Sequence, residues 1–189
     1  MDNGIDLDLD GDTLREECGV FGIFGHPDAA AITALGLHAL KHRGQEAAGI
    51  VSYDGARFHS ERRLGLVGDT FSRGEVIERL PGSVAVGHVR YSTTGETILR
   101  NVQPLFADLA SGGFAVAHNG NISNALHLKR EMVEKGAIFQ STSDTEVIIH
   151  LIATSRYPTL LDRFVDALRM VEGAYSLICM TPATRSTRN

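Results

Sequence analysis

Polar and apolar positions along the chain form an opening stretch without a period, followed by short alternating or helical segments. Residues 1–17, MDNGIDLDLDGDTLREE, bury no face at a strand or a helix period and read as a solvated leader. At Cys18 the pattern changes to CGVFGIF, a small and apolar strand. Pro27 and Asp28 open a predicted helix whose apolar positions are Ile32, Leu35, Leu37 and Leu40. Lys41, His42, Arg43 and Gly44 are suitable chemistry for its end. AAGIVSY and ARFHSER follow as two strands around Asp54-Gly55, a dipeptide that favours a type I′ hairpin turn. A short helix is expected near residues 73–80, then the strand VAVGHVRYS, a glycine-bearing loop and the strand GFAVAHNG. Helices are expected over 122–135, 144–155 and 159–171, the second opened by Ser143-Asp144-Thr145-Glu146 in the pattern of a capping box. AYSLICM is apolar on both faces, as in a buried strand with a partner on each side. The polar TPATRSTRN after it has no strand pattern, so an edge is expected to stand open.

Composition narrows the class to one soluble globular domain: 43% of the 189 residues are hydrophobic and 22% charged. No apolar run approaches the ~20 residues of a membrane span, and the N-terminus is acidic where a signal peptide would be basic, so a cytoplasmic protein is expected. Seven acids against one arginine give the leader a charge of −6, leaving +1 for the rest of a chain at −5. That balance is not a nucleic-acid footprint. Two cysteines, Cys18 and Cys179, are too few for a disulfide framework and lack the spacing of a zinc site, so a special cysteine is a reactive one. Asp6, Asp8, Asp10, Gly11 and Glu17 fit a calcium-loop pattern, but the five residues before Asp6 leave no room for its entering helix. His38 and His42 lie one helical turn apart without an evident third ligand, and no metal is assigned there.

Polar residues gather where apolar strands stop. GHVRY ends one strand with His88 and Arg90, AHNGN another with His118, Asn119 and Gly120, and Asp144 starts a helix. Arginine suits a carboxylate, aspartate suits an ammonium group, and Asn-Gly offers a side-chain amide and a free backbone N–H. An α-amino acid carries both charges. Singly, each has an ordinary reading, as a surface salt-bridge residue, a turn and a helix cap.

The ordered set CGVFGIFGH, LHALKHRGQEAAGI, GHVRYSTTG, NVQPL, AHNGNISNA and SDTEV resembles the N-terminal glutamine amidotransferase domain of the amidophosphoribosyltransferases. The likeness runs from Cys18 to about Met180. Glucosamine-6-phosphate synthase, asparagine synthetase and glutamate synthase share the Cys-Gly start and the Asn-Gly pair, but HRGQE with GHVRYST fits the purine enzyme better. The resemblance implies an α+β fold, the four-layer αββα sandwich of the N-terminal nucleophile hydrolases. It implies Cys18 as nucleophile, Asn119 and Gly120 as oxyanion hole, and Arg90 and Asp144 as the anchors of the glutamine carboxylate and amine. Thr93, Arg43 and His88 fall in matching substrate-site motifs. The resemblance makes L-glutamine the substrate and ammonia the product, passed to phosphoribosyl pyrophosphate in the first step of purine synthesis.

The same resemblance gives the leader a meaning. A thiol is mostly protonated at neutral pH, whereas an α-amino group of pKa ~7.7–8.0 is a usable base, so freeing Cys18 by loss of residues 1–17 joins nucleophile and base in one residue. Residues 1–17 are thus expected to be a propeptide, 18–181 the amidotransferase domain incomplete at its C-terminus, and 182–189 an aberrant or disordered tail. The family's further strands and its phosphoribosyltransferase domain are expected beyond the chain. With them belong magnesium, an iron–sulfur cluster in some members, and homo-oligomer formation. A same-class enzyme with another acceptor, and a non-catalytic fragment or binding module, are the alternatives.

Overall fold

The structure, a computed structural model, describes residues 18–40, 45–91 and 98–182. The leader with its calcium-loop pattern, Arg43, His42, Thr93 and the tail from 183 lie outside the described residues.

Two antiparallel sheets form the centre. The first has the order β1 (Gly19–Phe24), β4 (Val84–Tyr91), β2 (Gln45–Tyr53), β3 (Phe58–Leu64). The second has β5 (Leu105–Leu109), β6 (Gly112–Ile122) and β7 (Gly173–Met180). Alternation along β4 divides its side chains between two layers. Val84 and Val86 meet Val51, Ala115, Ala117 and Met180 between the sheets, while Ala85, Val89 and Tyr91 meet the helices outside. Those helices are α1 (Ala29–Ala39), α2 (Val67–Phe71) and α3 (Gly74–Glu78). On the far side, Phe114, Val116 and Ile122 of β6 pack with α4 (Ala125–Glu134), α5 (Thr145–Thr154) and α6 (Leu160–Met170). The four-layer αββα sandwich implied by the motifs is the observed one. Val147, Ile148 and Ile152 of α5 are almost wholly buried, each burial contributing about 1.5–3 kcal/mol.

Several local expectations change. The buried face of α1 is Ala29, Ala30, Thr33, Ala34 and Leu37, whereas Leu35 is 69% exposed. Close approach of helix to sheet sets this face: a Cβ on Gly36 would lie 2.5 Å from Phe21 Cδ2, and one on Gly87 2.6 Å from Thr33 Cγ2. β2 and β3 do form a hairpin, but through residues 54–57 rather than a type I′ turn. Asp54 does not take the positive φ that turn demands, and its Oδ1 instead accepts the N–H groups of Ala56 (2.8 Å) and Arg57 (2.7 Å). The capping box at α5 does not form. Glu146 turns its carboxylate away to accept from the N–H of Gln140 (2.8 Å) and of Ser141 (2.7 Å). β5 occupies the stretch expected as loop. The open edge expected beside the last strand is observed: among the described residues β7, apolar on both faces, pairs with β6 alone.

Candidate active site

Pairing of β1 with β4 sets Gly19 opposite Val89 and Val20 opposite His88, so one step further along the register Cys18 stands beside Arg90. Val20 and Val86 belong to the layer between the sheets, and alternation turns Cys18, His88 and Arg90 to the same side. The Cys18 thiol donates to the Tyr91 carbonyl at 3.8 Å. From the second sheet, the end of β6 brings His118, Asn119 and Gly120. Asn119 shares the inter-sheet side with Ala115 and Ala117, and His118 faces the helices. His118 Nδ1 lies 3.3 Å from Thr145 Oγ1 and 3.6 Å from Asp144 Oδ1, where α5 begins. Asp144 Oδ2 accepts the Ile122 N–H at 3.2 Å, tying the helix start to the strand end.

Gly120 belongs to β6 rather than to a turn, paired with Tyr175. Its φ of +126° lies where L side chains rarely go, and a Cβ there would run into the Ala174 carbonyl and approach Tyr175 Cα to 2.7 Å. Glycine at this position lets β6 and β7 approach at the strand end.

A cavity of about 450 Å³ opens here, lined by Cys18, His88, Arg90, Gly120 and Asp144, a volume within the range of small-molecule sites. Five predicted site residues therefore share one cavity. Asn119 lies beside it on β6 without lining it, and Arg43 and Thr93 are outside the described residues. Among the further lining residues, Gln103 and Lys129 are polar groups that the sequence did not propose for the site. Lys129 Nζ donates to the Ser141 carbonyl at 2.9 Å and stands 4.5 Å over the Phe139 ring, which fixes the segment leading to Asp144. NVQPL marked Gln103 as part of a motif, but no spacing signalled Lys129.

The charges suit a zwitterion. Burial pushes the Asp144 carboxyl up, yet the His118 ring and the N–H groups of Ile122 and Thr145 outweigh it and hold it below the ordinary carboxylate range. It therefore faces the cavity as an anion. Burial, then the His118 and Arg90 charges, pull His88 down from 6.5 to about 3, so it is neutral at physiological pH. The His118 backbone works weakly the other way, although neither His88 ring nitrogen reaches a hydrogen-bond partner of ordinary geometry among the described residues. Among the described residues Arg90 Nε and His118 Nε2 are also buried without a partner, polar groups that a ligand could satisfy. Burial pushes the Cys179 thiol up to about 12, which disfavours the nucleophilic thiolate.

Among the described residues no group of three or more His, Cys, Asp and Glu side chains is able to hold a metal ion, and no helix is long and apolar enough to cross a membrane. Two cysteines in the whole sequence do not fit an iron–sulfur cluster held by four thiolates.

A family profile described as "Glutamine amidotransferase domain" matches residues 88–188, more than half the chain. An amidophosphoribosyltransferase of Lacticaseibacillus casei is 49% identical over 170 residues, which cover 89% of this chain and 87% of that sequence. The chain belongs to the amidophosphoribosyltransferase family. The Rhizobium etli amidophosphoribosyltransferase is 66% identical over 173 residues, 92% of this chain but 35% of that enzyme. The glutamine phosphoribosylpyrophosphate amidotransferase of Bacillus subtilis, solved with ADP and GMP, superposes with a TM-score of 0.79 at 46% identity, over 86% of this chain and 35% of that one. A structure described as the allosteric regulatory enzyme of purine biosynthesis superposes at 0.82 with 47% identity. The chain thus spans about a third of the length of these longer amidophosphoribosyltransferases.

Proposed function

We propose that the chain hydrolyses L-glutamine to glutamate and ammonia, with Cys18 as nucleophile once residues 1–17 are removed. The observation that carries this reading is the convergence of Cys18, Arg90, Gly120 and Asp144 on one cavity from two different sheets and a helix start. Arg90 takes the α-carboxylate and the anionic Asp144 the α-ammonium, leaving the side-chain amide directed at Cys18. The freed α-amine of Cys18 accepts the thiol proton, and the thiolate sulfur bonds to the amide carbon. Charge develops on the amide oxygen, where the Asn119 side chain and the Gly120 N–H donate; one such donor is typically worth ~10²–10³ in rate. The carbon–nitrogen bond breaks as nitrogen takes the proton from the ammonium and leaves as ammonia. Water then attacks the thioester, glutamate departs and the thiol re-forms. Arg43 and Thr93 are assigned to the same glutamine site by their motifs, and His88 to its inner wall.

In the whole enzyme the ammonia passes to phosphoribosyl pyrophosphate on a phosphoribosyltransferase domain, a role supported by the names of the relatives. Magnesium belongs to that reaction. The test is glutamate release from glutamine by the purified chain and by its Cys18→Ala variant. Release by the chain and none by the variant is expected; equal release by both would overturn the proposal.

A further inference from the structure

We propose that Gln103 is a positioning residue for the oxyanion hole, an inference that rests on the glutaminase reading. β5 joins β6 from Leu105 opposite Val116 to Leu109 opposite Gly112, so the ladder stops two residues short of His118. There the side chain of Gln103 takes the place of a backbone. Its Oε1 accepts the His118 N–H at 2.7 Å and its Nε2 donates to the His118 carbonyl at 3.4 Å, the pair of bonds a neighbouring strand would make. The His118 carbonyl and the Asn119 N–H belong to one rigid peptide plane. A clamp on that carbonyl therefore sets the orientation of Asn119, and with it the start of Gly120.

The clamp is itself anchored. Gln103 is 5% exposed, and its own carbonyl oxygen lies so close to Gly49 that any Cβ there would collide with it. Gly49 pairs with His88, on the wall that carries Arg90. Two residues earlier, Asn101 Nδ2 donates to Thr142 Oγ1 at 2.7 Å while Oδ1 accepts the Thr142 N–H at 3.0 Å. The segment 101–103 thus joins the oxyanion strand, the nucleophile's sheet and the approach to Asp144. A donor misplaced by ~1 Å costs on the order of 10²-fold in rate without weakening the ground-state anchors.

The experiment compares kcat and KM for glutamine in the unaltered chain, Gln103→Leu and Gln103→Glu, with amide hydrogen exchange resolved at Asn119 and Gly120. Gln103→Leu is expected to lower kcat about 10- to 100-fold with KM changed less than about 3-fold. Gln103→Glu is expected to be impaired at pH 8 and to recover relative to the unaltered chain as the pH falls, because a protonated carboxyl again donates to the His118 carbonyl. Faster exchange at Asn119 and Gly120 in the leucine variant, with Phe114 to Val116 unchanged, is the expected readout that needs no catalysis. Unchanged kcat, a parallel loss of kcat and glutamine binding, a glutamate variant that follows the parent pH profile, or unchanged exchange would each overturn the proposal. Absence of glutamine hydrolysis by the unaltered chain would overturn the proposed function instead, and the exchange comparison would still decide the role of Gln103.

Discussion

Gly120→Ala separates two costs that the structure assigns to one residue. The first is conformational: φ of +126° for a residue with a Cβ costs about 1–3 kcal/mol. The second is steric, because the added carbon meets the Ala174 carbonyl and Tyr175 Cα, both backbone of β7, and can be relieved only by moving a strand. Overpacking of that kind costs a further amount of about 1–3 kcal/mol. Gly55→Ala isolates the first cost, since Gly55 has φ of +95° and nothing within 4 Å of a Cβ. Urea unfolding followed by circular dichroism is expected to place Gly120→Ala about 1–3 kcal/mol below Gly55→Ala, and roughly 3–10 °C lower in Tm. Glutaminase activity is expected to fall in Gly120→Ala and to persist in Gly55→Ala. Equal destabilisation by the two substitutions would refute the close approach of β6 and β7 at the site.

Stability is expected to depend on acid in two stages. Folded His88 titrates near 3 against an ordinary 6.5, so below about 6.5 the unfolded chain binds a proton the folded one refuses, and stability falls with pH. The depressed carboxyls of Asp144 and Glu146 contribute stability above their ordinary values of 3.8 and 4.5 and lose it below. His88→Gln should therefore flatten the decline between pH 6.5 and 4.5 in urea midpoints, and parallel curves would contradict this. Asp144→Asn is expected to raise KM for glutamine on the order of 10-fold or more, as the ammonium loses a charged partner, with a smaller effect on kcat; an unchanged KM would refute the anchor. Thr159 Oγ1 accepts the Asp162 N–H at 3.1 Å at the start of α6, so Thr159→Ala should cost about 1 kcal/mol without affecting glutamine hydrolysis. A loss of activity there would contradict a purely capping role.

The elements with a strong period were legible: β4, β6, α4 and α6 lie where alternation and helical spacing place them. Error entered where tertiary contact overrode local pattern. Large apolar residues nominated Leu35 for the core, but a helix held against Gly87 and Phe21 buries its small face. Ser143 and Glu146 have the spacing of a capping box, yet Glu146 finds the N–H groups of a preceding loop, which spacing along one helix does not reveal. LFADL was hidden as β5 because five residues beside a proline carry little strand signal without their partner on β6. Within the site, Cys18, Arg90, Asn119, Gly120 and Asp144 were singled out from strand ends, helix starts and ordered motifs. Gln103 and Lys129 act through backbone groups distant in sequence, so their part was visible only in three dimensions.

The central claim is that Cys18 is the nucleophile of a glutamine site. Its most direct test is intact-mass analysis and peptide mapping after treatment with the glutamine analogue diazo-oxo-norleucine. The account predicts a chain beginning at Cys18, carrying one adduct on Cys18 and none on the half-buried Cys179, with excess glutamine slowing the labelling. A full-length chain without adduct, or an adduct on Cys179, would contradict it.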